Sequence, residues 1–168
     1  MRKFLSLSFL WLIVAALSAC TPEYNWREWT VADERAVIMF PSRTQTEQRP
    51  IDVQGIPSTF SLTSSAVGPS VFSVGFVPMP EKLTEAQQAG FVKKVVSALA
   101  ARAGAPTPDG ALEGKIFSLE TVVAGKPSLM MARVVIHRGM LIQVVASGPK
   151  QSLSNENAFE FVRSLTLR

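Results

Sequence analysis

Residues 84–104 carry the clearest helical signal in this chain, and short alternating strands lie on both sides of it, which confines the fold to the mixed α+β class. Thr84 followed by Gln87 makes a Thr-x-x-Gln capping box, in which the hydroxyl caps the first turn and the glutamine reaches back. Phe91, Val92, Val95, Val96 and Leu99 then recur at helical spacing, with Lys93, Lys94 and Arg102 outside the stripe. Gly104 supplies a left-handed stop, and Pro106 and Pro108 prevent continuation. A stripe of this kind is read as core, and the basic residues as a solvated face.

Ahead of the helix, residues 36–40 read as a buried strand stopped by Pro41, which has no amide hydrogen for a ladder. The polar stretch from Ser42 to Pro50 reads as a loop or turn. Strand signals return at 51–54 and at 59–64, where Phe60 and Leu62 share a face, and at 71–77, where Phe72, Val74 and Phe76 do. Beyond the helix, 115–123 and 128–137 read as strands. Arg138-Gly139 suits a two-residue hairpin turn, because glycine accepts the positive φ such turns demand, and 140–146 is the return strand. Ser154 to Ser164 closes the chain as a second helix, with Phe159, Val162 and Leu165 on one stripe. The expected architecture is a mainly antiparallel sheet covered by two helices.

A second constraint lies at the N-terminus. Arg2 and Lys3 precede an apolar run from Phe4 to Leu17, shorter than the ~20 residues that span a bilayer. Ser18 and Ala19 are the small residues a signal peptidase requires, and Cys20 is the only cysteine. Leu17-Ser18-Ala19-Cys20 resembles the lipobox of bacterial lipoproteins, position by position. The resemblance implies cleavage between Ala19 and Cys20, lipidation of the Cys20 sulfur, and stable attachment through several acyl chains. Thr21, where an Asp would retain the protein at the inner membrane in enterobacterial-type sorting, favours the outer membrane facing the periplasm. The organisation expected is a signal peptide over 1–19, a lipidated tether over 20–34 and one α+β domain over 35–168.

Cleavage would leave 149 of the 168 residues, a length suited to one hydrophobic core. Losing Arg2 and Lys3 from the seventeen basic side chains leaves fifteen against thirteen acidic ones, and these are scattered rather than gathered into the stripe a nucleic-acid binder needs. With Cys20 lipidated no disulfide can form, so the core carries stability. Tyr24, Trp26 and Trp29 in the tether suit a membrane interface, and Trp26 and Trp29 alternatively suit folding back to cap an edge of the core. Burial is the reading taken, since a large side chain left in water forgoes ~1.5–3 kcal/mol.

Little in the chain suggests catalysis. His137 is the only histidine, so a histidine-rich metal site is excluded and a Ser-His-Asp triad would have to use it. There is no Gly-x-Ser-x-Gly elbow and no glycine-rich phosphate loop. Asp33-Glu34, the only adjacent carboxylate pair, reads as solvated. Met130, Met131 and Met140 fall in strands and read as core filler.

Two short segments carry a further resemblance. The strand ending in Phe40-Pro41 and the closing Phe161-Val162-Arg163-Ser164-Leu165 resemble the Mog1/PsbP-type α/β/α sandwich, and Asn25-Trp26-Arg27-Glu28 with Met39-Phe40-Pro41 is similar to small proteobacterial lipoproteins of uncharacterised function. The sandwich resemblance implies a binding or assembly role. The expectation is a non-enzymatic, membrane-anchored factor for an envelope protein partner, without metal, cofactor or nucleic acid. The alternative is a small-molecule carrier or weak hydrolase with a pocket between sheet and helix, His137 being its candidate polar member.

Overall fold

The computed structural model describes residues 23–53, 55–110 and 112–168. The expected signal peptide over 1–19, the lipobox and Cys20 lie outside the described residues. The chain is α+β, in the order β1 (Arg27–Val31), β2 (Ala36–Phe40), β3 (Gln45–Val53), β4 (Ile56–Val67), β5 (Ser70–Pro78), α1 (Glu85–Ala103), β6 (Ile116–Val123), β7 (Lys126–His137), β8 (Met140–Pro149), α2 (Asn155–Arg163) and β9 (Thr166–Leu167).

The six strands β3 to β8 form one antiparallel sheet in the order β3-β4-β5-β8-β7-β6. Interior strand β8 is buried on both faces, with Leu141 and Val145 on one and Ile142, Val144 and Ala146 within the buried run. It therefore reads as a nearly continuous apolar segment rather than an alternating one. Its hairpin with β7 turns at Arg138 and Gly139, both at positive φ (45° and 72°), as that dipeptide predicts.

Helix α1 starts and stops where its local chemistry dictates. The Thr84 Oγ1 accepts from the Gln87 amide at 3.3 Å, the Thr84 amide donates to Gln87 Oε1 at 2.9 Å, and Gly104 takes the left-handed conformation. Val92, Val96, Leu99, Ala100 and Ala103 are its buried residues, packed against β7 and β6. Helix α2 buries a different stripe from the one expected. Phe159 is 48% exposed, whereas Ala158, Phe161, Val162 and Leu165 are buried. Those four follow the i, i+3, i+4, i+7 rule, which the 159/162/165 spacing fits less well.

On the sheet face opposite α1 lie α2 and a second, three-stranded sheet in the order β1-β2-β9. Phe40, Phe72 and Phe161 meet there, with ring centroids 5.3 Å apart for both the Phe40–Phe161 and Phe72–Phe161 pairs, and all three are buried.

Three expectations change. The stretch from Ser42 to Pro50 is not a loop: from Gln45 onward it is β3, paired from Gln45↔Ser64 to Val53↔Ile56. As an edge strand exposed over most of its length it shows no apolar alternation, and an edge tolerates Pro50. The expected tether contains β1, paired with β2 from Arg27↔Phe40 to Val31↔Ala36, so the folded domain starts before residue 35. Its aromatic residues divide. Tyr24 and Trp26 stack at 5.7 Å and both meet Phe72 edge-on, while Trp29 stays 46% exposed.

Candidate functional site

The α1 face of the large sheet is only partly covered. A helix is ~10 Å across, whereas six strands ~4.8 Å apart span roughly 24 Å. Because α1 sits over β6 and β7, the faces of β3, β4 and β5 are closed at one end, where Val53 and Val77 join the α1 core, and stay open at the other around Glu47, Leu62 and Ser73. The result is a cleft of about 620 Å³ between helix and sheet, within the range of small-molecule sites.

One wall comes from α1, through Val95, Leu99 and Arg102 in its second half. The opposite wall comes from the sheet edge, where the register sets Glu47 beside Leu62 and Arg49 beside Phe60. Ser73, Met130, Gln143, Val145 and Ser147 form the floor. The Ser73 hydroxyl already donates to the Val145 carbonyl at 3.4 Å, whereas Gln143 offers both a donor and an acceptor.

At the edge-strand end the aromatic ring is held in place by an absence. Gly75 is paired with Leu62 on one side and Gln143 on the other. A Cβ built on it would lie 2.6 Å from Phe60 Cζ and 2.7 Å from Gln143 Nε2. The missing side chain is what lets the ring lie across the strand and cover backbone that would otherwise be open. The Arg49 guanidinium sits 5.0 Å from the ring centroid, a cation–π contact worth ~0.5–1 kcal/mol at an exposed site.

Electrostatically the cleft is basic at its rims. Arg49 and Arg102 stand on opposite walls, and among the described residues neither takes part in an ion pair. Glu47 is the one carboxylate in the lining. Two unpaired guanidiniums above an apolar strip can take a carboxylate or phosphate as bidentate donors while the strip receives hydrocarbon. A second recess, about 660 Å³, lies between α1 and the loop over 107–113, but Lys93, Asp109 and Glu113 give its rim mixed charge and no such division.

The residues singled out in the sequence fall elsewhere. His137 ends β7 with its Nε2 2.7 Å from the main-chain oxygen of Arg168, and it does not line the cleft. Asp33 pairs with Arg35 at 3.5 Å in the β1–β2 turn. Met131 and Met140 are buried, while half-buried Met130 reaches the cleft floor. Among the described residues no three His, Cys, Asp or Glu side chains are grouped to hold a metal ion. Sequence reasoning missed Arg49 because it placed that residue in a loop; Arg102 is exposed as the solvated-face reading requires, and only its place beside the cleft was not legible. The only available signal was Phe60 recurring with Leu62 on a strand beside a glycine-bearing neighbour. No protein-family model matches this chain, and no curated protein and no solved structure matches it significantly.

Proposed function

We propose that this is a lipid-anchored, non-enzymatic binding protein of the bacterial cell envelope, held through acyl chains on Cys20 and facing the periplasm from the outer membrane, whose cleft takes a small acidic amphiphile. The lipobox-like Leu17-Ser18-Ala19-Cys20 supports the anchor. The observation that carries the ligand reading is the pair of unpaired guanidiniums, Arg49 and Arg102, on opposite walls of a cleft whose apolar lining includes Phe60, Leu62, Val95 and Leu99. The acid group would meet the rims and the chain would lie along the strip.

Photo-crosslinking tests this reading. A diazirine fatty acid offered to the lipidated protein in membranes should label peptides carrying Phe60, Leu62 or Leu99. A hydrogen bond to a charged group contributes ~1.5–3 kcal/mol, so Arg49→Ala or Arg102→Ala should each weaken labelling about ten- to a hundredfold. Leu62→Trp should block it by filling the cleft, and His137→Ala should leave it unchanged. Labelling scattered over the surface, or indifferent to Leu62→Trp, would overturn the ligand reading.

One observation favours a protein partner instead. Strand β1 is the outer strand of the small sheet and presents Trp29 beside its free edge, a place where another chain could pair. In-cell crosslinking from position 29, with Cys20→Ser as the unanchored control, should then recover one recurrent envelope protein. Recovery of none would leave the cleft as the binding site.

A further inference from the structure

The described chain begins at one particular end of the large sheet. The Tyr24 hydroxyl donates to the Ser152 carbonyl at 3.3 Å, in the turn that follows β8. Within that turn the Lys150 amide donates to the Pro127 carbonyl at 2.9 Å, and Lys150 Nζ lies 2.6 Å from Glu120 Oε2. Pro127 is in turn the register partner of Val122, and Lys126 that of Val123. The tether and the β6–β7 hairpin tip therefore share one end of the molecule.

That tip is unusual for its apolarity. Val122 is 67% exposed and Val123 54%, the two most exposed large apolar side chains among the described residues. Ala124 and Gly125 complete the turn, both at positive φ. Exposed lysines flank it, Lys126 on the hairpin itself, outside every ion pair among the described residues, and Lys150 on the adjoining turn, paired with Glu120. The C-terminus of α1, which carries Arg102, approaches the same end, since a Cβ on Gly104 would lie 3.7 Å from Thr121 Oγ1. At the opposite end the exposed Ile56 stands alone, four residues after Asp52, rather than in an adjacent apolar pair.

Cys20 is four residues before Tyr24, and a fully extended chain advances at most ~3.5 Å per residue, so acyl chains on Cys20 would start within ~14 Å of Tyr24. We infer that the β6–β7 hairpin tip is a second membrane contact, inserting Val122 and Val123 into the leaflet that holds the anchor while Lys126 meets anionic headgroups and Lys150 stays paired with Glu120. This rests on the lipid-anchor reading above. Apolar side chains beside an unpaired cation, Lys126, match a leaflet in which hydrocarbon lies just beneath phosphate. A peptide anchor alone would let the domain tumble, whereas two contacts hold it upright, with the Arg102 and Ser147 end of the cleft toward the bilayer.

The natural chain has a single cysteine, and lipidation would occupy it, so an introduced cysteine gives a unique labelling site. The lipidated protein carrying Val122→Cys, labelled with nitrobenzoxadiazole, would be placed in vesicles of phosphatidylethanolamine with a quarter phosphatidylglycerol, with and without nitroxide on the acyl chains. A blue shift and nitroxide quenching at position 122, absent when the label is carried by Ile56→Cys and abolished by adding Val123→Asp, is the expected result. Equal, water-like emission from both positions in protein that floats with the vesicles would overturn the hairpin contact and leave the anchor standing. Protein whose mass shows no acyl chain would overturn the anchor, and this contact with it.

Discussion

The two faces of the six-stranded sheet solve the same problem in opposite ways. One is sealed by α2 and the three-stranded sheet, and its centre is the Phe40, Phe72 and Phe161 cluster. The other receives a single helix, which covers β6 and β7 and leaves the β3 side open. What differs is the amount of secondary structure available to each face. Where coverage runs out, the chain substitutes side chains: Phe60 lies over Gly75, and Arg49 lies over Phe60. Burial thus serves stability on one face, and incomplete burial leaves a site on the other.

The strongest way to break that contrast is to empty both faces in turn. Phe161→Ala should destabilise the fold by ~3–5 kcal/mol, because a buried aromatic loses both transfer energy and its cavity neighbours. Leu62→Ala, in the half-open cleft, should cost well under half of that, as solvent already reaches the site. Urea denaturation measures both, and equal costs would mean that the cleft is closed in solution.

A smaller effect sharpens the role of Gly75. Gly75→Ala places a methyl where Phe60 and Gln143 already lie, an overpacking worth ~1–3 kcal/mol. Pairing it with Phe60→Leu should recover part of the loss, and a double-mutant cycle reads the coupling. Additive losses would show that the ring does not rest on the glycine.

The smallest effect separates the tether from the rest of the sealed face. Burial first, and then Glu23, push the Tyr24 phenol above its ordinary 10.0, although the polar Asn157 side chain opposes them. A folded value above the unfolded one means that the contribution is whole below 10.0 and is lost as pH rises through the folded value. Thermal melts of the native protein should therefore fall more steeply above the phenol range than those of Tyr24→Phe. Parallel curves would place Tyr24 in water.

Much of the fold is legible locally. The Thr84–Gln87 box, Gly104, Pro41 and the Arg138-Gly139 turn each act on residues a few positions away, so their meaning survives without the tertiary structure. The site is less legible, because its residues look ordinary one by one. Arg49 sits in a polar stretch that resembles a loop, since an edge strand exposed to water needs no apolar alternation. Arg102 looks like a solvated helix residue until β4 is placed opposite it. The stripe of α2 lies between: both 159/162/165 and 158/161/162/165 are helical spacings, and packing against Phe40 and Phe72 selects the second.

By itself the sequence determined where the two helices lie and where the β7–β8 hairpin turns, and that the chain would mix helix with antiparallel sheet, because caps, left-handed glycines and prolines act through neighbours along the backbone. Only the tertiary structure decided which strands became edges, which face α1 would half cover, and that Arg49 and Arg102 would line opposite walls of one cleft. Those outcomes depend on strand order and on the mismatch between one helix's width and the width of six strands, which no short stretch of sequence encodes.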